Sequence, residues 1–149
     1  MILPARLIVL DTNVLVSALL VAESFPAQVI TLARNRSVQT RYSDAILAEY
    51  RTVLSRSKFN FQEEDIQKII NGIIRSGIPV NASLSTVPMP DESDRKFYDV
   101  AKDSGAMLIT GNTKHYPDEQ FILTPAAFVQ KYYSMKSLFP HKLDTQKQA

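Results

Sequence analysis

The 149-residue sequence contains no cysteine. Disulfides, thiolate zinc sites and a thiol nucleophile are therefore excluded, and the absence fits a reducing compartment. Long hydrophobic runs are also missing: nothing approaches the roughly 20 apolar residues of a membrane span. The opening MILPARLIVL is apolar but short, and Pro4 and Arg6 interrupt it. It lacks the basic start and long apolar centre of a signal peptide. A cytoplasmic protein without membrane contact is the expectation. Nor does one sign of charge dominate. The net charge is +2, too small to imply a nucleic-acid partner by itself. No internal repeat and no low-complexity segment occurs.

What is present reads as an ordinary globular domain, 45% apolar and 21% charged, long enough to bury a real core. The bases are unevenly spread. Arg34, Arg36, Arg41, Arg51, Arg56 and Lys58 face only Asp44 and Glu49 over that stretch, which on charge alone reads as a solvated surface.

Short apolar runs alternate with amphipathic ones. Leu7–Leu10 reads as a buried strand, followed by a short helix over 14–21. Pro26 stands in the first turn of a second helix that ends near Arg34. Residues 37–41 read as a short strand. Ser43 is placed to cap a helix over 44–54 whose face carries Ile46, Leu47, Tyr50, Val53 and Leu54. The clearest helix is 62–76, with Ile66, Ile69, Ile70, Ile73 and Ile74 at helical spacing and Gly77 as its stop. Its first-turn acids, Glu63, Glu64 and Asp65, suit the helix dipole. Residues 78–87 read as extended or loop. A helix from about 91–94 to Gly105, an apolar run over 106–110, a last strand over 121–123 and a helix opened by Pro125 complete the pattern. Residues 1–135 form the expected domain, and the polar tail 136–149 is expected to fray.

Apolar strands alternating with helices imply an α/β fold with a parallel sheet covered on both faces. Ligands in such folds sit beyond the carboxyl ends of the strands. Asp11 falls there, and Asn112 falls two residues past another strand. Asp11 could equally cap the helix that follows. Glu49 lies at the edge of its helix's apolar stripe, and could instead pair with a base such as Arg56. Asp94 heads the buried face of its helix with Phe97, Tyr98 and Ala101. Asp91 and Ser93 can already cap that helix, which leaves Asp94 spare. Gly111-Asn112 is also ordinary turn chemistry, and His115 reads as a surface or packing histidine. Taken together, three carboxylates and an amide around the mouth of one sheet are ligands for a hard divalent cation. Such carboxylates repel one another and raise their own pKa values until a cation arrives.

Four segments, LDTNVLVSAL, SDAILAEYRTVL, DESDRKFYDVA and LITGNTKHYP, resemble in order and spacing those of PIN domains. They are most similar to the bacterial branch of toxin components of toxin–antitoxin systems. The resemblance runs from about Leu7 to Tyr132. It implies a three-layer α/β/α sandwich with a central parallel sheet, acting as a Mg²⁺- or Mn²⁺-dependent ribonuclease. Asp11, Glu49 and Asp94 match the family's three acids. Thr12, Asn13 and Thr110 match polar residues supporting them. Many PIN nucleases carry an acid where this chain has Asn112, so one-ion chemistry or feeble activity is implied, with Asp91 or Asp118 as compensating candidates. In the expected mechanism Asp11 and Asp94 hold the cation and Glu49 orients the attacking water. Asn112 completes the shell or positions the phosphate, and Arg41 and Arg51 contact RNA. The implied partners are single-stranded RNA, a small antitoxin and a second copy of the chain.

Two other readings compete. A PIN scaffold could bind RNA or protein without cutting, and Asn112 is its support. Haloacid-dehalogenase phosphatases also begin with an apolar strand ending in Asp, but need a second Asp two residues on, where this chain has Asn13.

Overall fold

A computed structural model describes residues 6–138. The signal-peptide reading of residues 1–5 and most of the expected tail, 139–149, lie outside the described residues.

Five strands form one parallel sheet: β1 (Leu7–Leu10), β2 (Gln39–Tyr42), β3 (Ile78–Pro79), β4 (Met107–Ile109) and β5 (Ile122–Leu123), in the order β3-β2-β1-β4-β5. Six helices accompany them: α1 (Thr12–Leu20), α2 (Phe25–Arg34), α3 (Asp44–Leu54), α4 (Glu63–Ser76), α5 (Arg95–Ser104) and α6 (Pro125–Leu138). α5 packs over β1, β2 and β4, whereas α2 joins α1, α4 and α6 in a second group. The result is the expected three-layer α/β/α sandwich. β1 lies at its centre, and Ile8, Val9 and Leu10 are buried.

The order of strands decides where a site can form. The chain steps outward from β1 to β2 to β3, then crosses to the other side of β1 for β4 and β5. The winding reverses between β1 and β4, and the crevice at that switch point opens beyond their carboxyl ends. Asp11 ends β1 and Thr110 follows β4, so both stand at that crevice.

Local chemistry explains most helix ends. Ser24 and Ser43 accept from the amides of Ala27 and Ile46, each at 3.2 Å, and so cap α2 and α3. Asp91 caps the 3-10 turn Glu92–Asp94 that leads into α5, accepting from the Ser93 amide at 2.9 Å. Gly105 ends α5 with φ +70°, the left-handed conformation that favours glycine. α6 continues through residues 136–138, beyond the expected domain limit. No single described helix is long and apolar enough to cross a membrane. α1 and α2 together have the composition, but they meet at 106° and their buried faces belong to the core.

Two expectations change. β2 begins at Gln39 rather than residue 37, because the Ser37 and Val38 amides donate back to the Leu32 carbonyl of α2, at 2.9 and 3.2 Å. Gly77 does not stop α4 by a left-handed turn; its φ is −130° and its backbone is extended. Its role is close approach. A Cβ there would stand 2.0 Å from Thr40 Oγ1 and 2.4 Å from the Thr40 carbonyl oxygen. The same Thr40 hydroxyl, fully buried, donates to the Ile73 carbonyl at 2.7 Å and so fixes the end of α4 against β2. Gly77→Ala is therefore expected to reduce unfolding free energy by about 1–3 kcal/mol in urea melts. Gly105→Ala, which has open space around it, is expected to cost about 1 kcal/mol. The reverse ranking would contradict the packing argument.

Candidate functional site

The site is built around the carboxylate of Asp11, which is only 6% exposed. Asp11 occupies the N-cap position of α1, but its side chain makes no capping hydrogen bond. Instead Oδ2 accepts from Thr110 Oγ1 at 2.9 Å and from Tyr116 Oη at 2.8 Å, while Oδ1 takes neither. Burial pushes the Asp11 carboxyl up, and these two hydroxyls, with the Asn13 backbone amide, partly oppose the shift. Burial and the adjacent Asp11 push the Tyr116 hydroxyl far up, so it remains a donor at physiological pH.

Thr110 is the hub of the switch point. Fully buried, its hydroxyl donates to Asp11 and accepts from Asn13 Nδ2 at 3.2 Å and from the Asn112 amide at 3.1 Å. Asn13 Oδ1 accepts in turn from the Gly111 amide at 2.9 Å. The end of β1 and the loop after β4 are thereby tied together, and Asp11 is oriented by the tie.

Glu49 arrives from α3. Its neighbour Tyr50 is fully buried and donates to the Leu10 carbonyl at 2.5 Å. That bond pins the helix to the last residue of β1 and brings Glu49 beside Asp11. Thr12 Oγ1 donates to Glu49 Oε2. Lys96 Nζ donates to Glu49 Oε1 at 2.7 Å and also to the Ser93 carbonyl. The partner of Glu49 is thus Lys96, not Arg56.

Asp94 sits where the 3-10 turn enters α5. Asp91 does the capping, so Asp94 is spare as its position implies. Its Oδ2 is buried and accepts no hydrogen bond. Burial, with the charges of Asp11 and Asp91 as the next contributions, raises its pKa from 3.8 to about 6. His115 opposes the shift, with Nδ1 at 3.8 Å from Asp94 Oδ2. Asn112 Nδ2 lies 3.0 Å from His115 Nε2. Asn112 thus joins the cluster through His115, itself exposed.

Asp11, Glu49 and Asp94 therefore converge, each within electrostatic reach of the others, with Thr12, Asn13 and Thr110 among them. Arg41 does not join: its guanidinium folds back on Gln39 and the Thr40 carbonyl of its own strand. Arg51 is exposed on α3, two residues past Glu49 and so turned away from it. Lys96 and Tyr116, which no pattern in the sequence singled out, touch the acids instead.

The donor set suits one hard cation. The buried Oδ2 of Asp94, which accepts no hydrogen bond, and the mutual repulsion of the acids favour positive charge arriving. Among the described residues no group of three or more acids or histidines is arranged as a ready-made cage. Both carboxylate oxygens of Glu49 are engaged, by Thr12 and by Lys96.

A doubly wound parallel sheet with crowded carboxylates at its switch point is a nuclease-like arrangement. The PIN-domain family profile matches residues 7–114, and the chain belongs to the PIN-domain family. PIN domains are typically nucleases and generally use divalent metal ions. An uncharacterized protein of Methanocaldococcus jannaschii, MJ1680, is 30% identical over 108 residues, covering 70% of each chain. No solved structure matches.

The raised Asp94 pKa has a signed consequence for the metal-free protein. The folded state holds this proton more tightly than the unfolded chain, so the stabilising contribution of this carboxyl is fully present below pH 4 and is lost as pH rises through about 6. In EDTA, Asp94→Asn should melt roughly 2–4 °C above wild type at pH 7.5, with the gain shrinking toward pH 4. Equal melting of the two proteins at both pH values would exclude the charge-crowding account.

Proposed function

We propose that this protein is a divalent-cation-dependent endoribonuclease that hydrolyses phosphodiesters of single-stranded RNA. The observation that carries the reading is the convergence of Asp11, Glu49 and Asp94 at the β1/β4 switch point, with Asp94 Oδ2 buried and accepting no hydrogen bond. Asp11 and Asp94 would hold one Mg²⁺ or Mn²⁺. When bound, the cation supplies Lewis acidity to the phosphate and lowers the pKa of a water. Glu49 orients the attacking water through the oxygen shared with Thr12. Thr110 and Tyr116 keep Asp11 in place without neutralising it. Asn112 positions the phosphate edge through His115. Unpaired backbone is the favoured substrate, because splayed strands can enter a crevice that a duplex cannot. The similarity of the four motifs to the toxin branch supports a role as the toxin of a toxin–antitoxin pair, restrained by a small antitoxin and acting as a homodimer.

The non-cutting scaffold draws on one specific observation, the Lys96–Glu49 pair at 2.7 Å, which already satisfies one of the three acids without a metal. The phosphatase reading gains nothing: Asn13 is engaged with Thr110 and Gly111, and the family is that of PIN domains.

The deciding experiment is cleavage of a labelled RNA with Mg²⁺, Mn²⁺ or EDTA. Asp11→Asn and Asp94→Asn should each lower the rate by roughly 100-fold or more, the scale of a lost charge-stabilising group. Tyr116→Phe, which removes one of two donors to Asp11, should lower it by about tenfold. Cleavage that survives EDTA or the Asp substitutions would place the activity elsewhere; RNA binding in EDTA with no cleavage under any metal would establish the scaffold.

A further inference from the structure

Asp94 is central to the cation reading, yet its side chain has little to hold it. Its buried Oδ2 accepts no hydrogen bond, and the His115 ring stands 3.8 Å away. The charges of Asp11, Asp91 and Glu49 all act against its ionised form. Like charges this close push apart unless the chain that carries them is held. The aim of Asp94 is therefore set through its backbone, by the 3-10 turn Glu92–Asp94 and the start of α5.

That junction has a strong anchor in the next residue. The Arg95 side chain is only 13% exposed, although its partner Glu92 is 71% exposed. A guanidinium has five N–H donors in one fixed plane, and Arg95 makes as many hydrogen bonds. Nε donates to Glu92 Oε2 at 2.7 Å, and Nη2 donates to Glu92 Oε1 and to the Val87 carbonyl, each at 2.7 Å. Nη1 donates to the Ser85 carbonyl at 2.9 Å and to the Ser85 hydroxyl at 3.0 Å. One side chain thus joins the turn to a segment eight to ten positions earlier.

The segment that Arg95 grips is itself fixed. Residues 81–90 lie outside every helix and strand, and α5 fastens them along one stripe. Arg95, Asp99 and Asp103 follow at four-residue spacing on that stripe. Asp99 Oδ2 accepts from the Ser85 amide at 3.2 Å, and Asp103 Oδ2 from the Ser83 amide at 3.4 Å. Ala82, Val87 and Met89 pack against the core. The irregular segment is therefore a firm strut.

We propose that Arg95 is the positioning residue for Asp94: its planar fork ties the turn before α5 to the strut at Ser85 and Val87, and so holds Asp94 in the crevice against the repulsion of the other acids. The inference rests on the cation-dependent reading above and names what keeps one of its ligands in place. Arg95 acts through the chain, so its effect has a distinctive sign. Charge alone predicts that removing a positive side chain near a cation site strengthens cation binding. Loosening the support of a ligand weakens it.

The test uses the whole chain with two readouts: Mn²⁺ binding by electron paramagnetic resonance, and amide hydrogen exchange in EDTA. Arg95→Met should weaken Mn²⁺ binding by about tenfold, the scale of a lost support behind a metal ligand. Arg95→Lys is the gentler change. It keeps the charge but loses the planar fork, so Mn²⁺ binding should fall here too. In both variants exchange at the Asp94 and Arg95 amides should quicken by about tenfold, while Ala101 and Lys102 farther along α5 keep their rates. Gly105→Ala, which strains the far end of α5, controls for lost stability and should bind Mn²⁺ as wild type does. Unchanged or tighter Mn²⁺ binding in the Arg95 variants, unchanged exchange at Asp94, or equal weakening by Gly105→Ala would overturn the proposal. A wild type that binds no Mn²⁺ would remove the cation reading instead. The exchange measurement needs no metal, and would then decide by itself whether Arg95 holds Asp94.

Discussion

The site depends on keeping a carboxylate inside the protein without cancelling its charge. Asp11 is held by two hydroxyls, Thr110 and Tyr116, not by a lysine or arginine. Neutral donors meet the hydrogen-bonding needs of one carboxylate oxygen and leave the full negative charge in place. A buried guanidinium in their stead would have stabilised Asp11 more and removed its attraction for a cation. The unpartnered oxygen of Asp94 and the crowding among three acids follow from that choice. The fold accepts electrostatic strain at one end of its sheet and supports it with the hydrophobic packing of β1 beneath.

The framework was largely legible in the residues, since period and punctuation are local properties. The isoleucines of α4, the serines that cap α2 and α3, and the all-apolar β1 each announce their element. β3 was not legible as a strand: it is two residues long, ends in Pro79 and is exposed, so neither alternation nor burial marks it. Gly77 was visible as a boundary, but the clash with Thr40 that requires glycine joins segments far apart in the chain. The acids themselves were ambiguous one at a time. Asp94 could be separated from its capping neighbour because Asp91 fills the cap, an inference available from spacing alone. Asp11 could not, since the Thr110 and Tyr116 hydroxyls that hold it lie 99 and 105 positions away in the chain.

Lys96 and Tyr116 escaped sequence reasoning for a physical reason. Each acts across the tertiary structure: Tyr116 reaches Asp11 across 105 positions and Lys96 reaches Glu49 across 47. In the chain, Lys96 looks like one more base on a helix and Tyr116 like one more loop aromatic. Arg41 and Arg51 looked better because they sit in a basic stretch, but local density of charge says little about which cation faces the acids. The pairing of Lys96 with Glu49 also sets an ammonium against one of the three acids.

The short outer strands have a consequence for how copies of this chain can meet. β3 and β5 contribute two residues each to the margins of the sheet, and β3 carries a proline that has no amide hydrogen to offer. A neighbouring molecule laid alongside either margin would find almost no backbone ladder to extend. The margins of this sheet therefore carry the features by which folded proteins discourage sheet continuation from one molecule to the next.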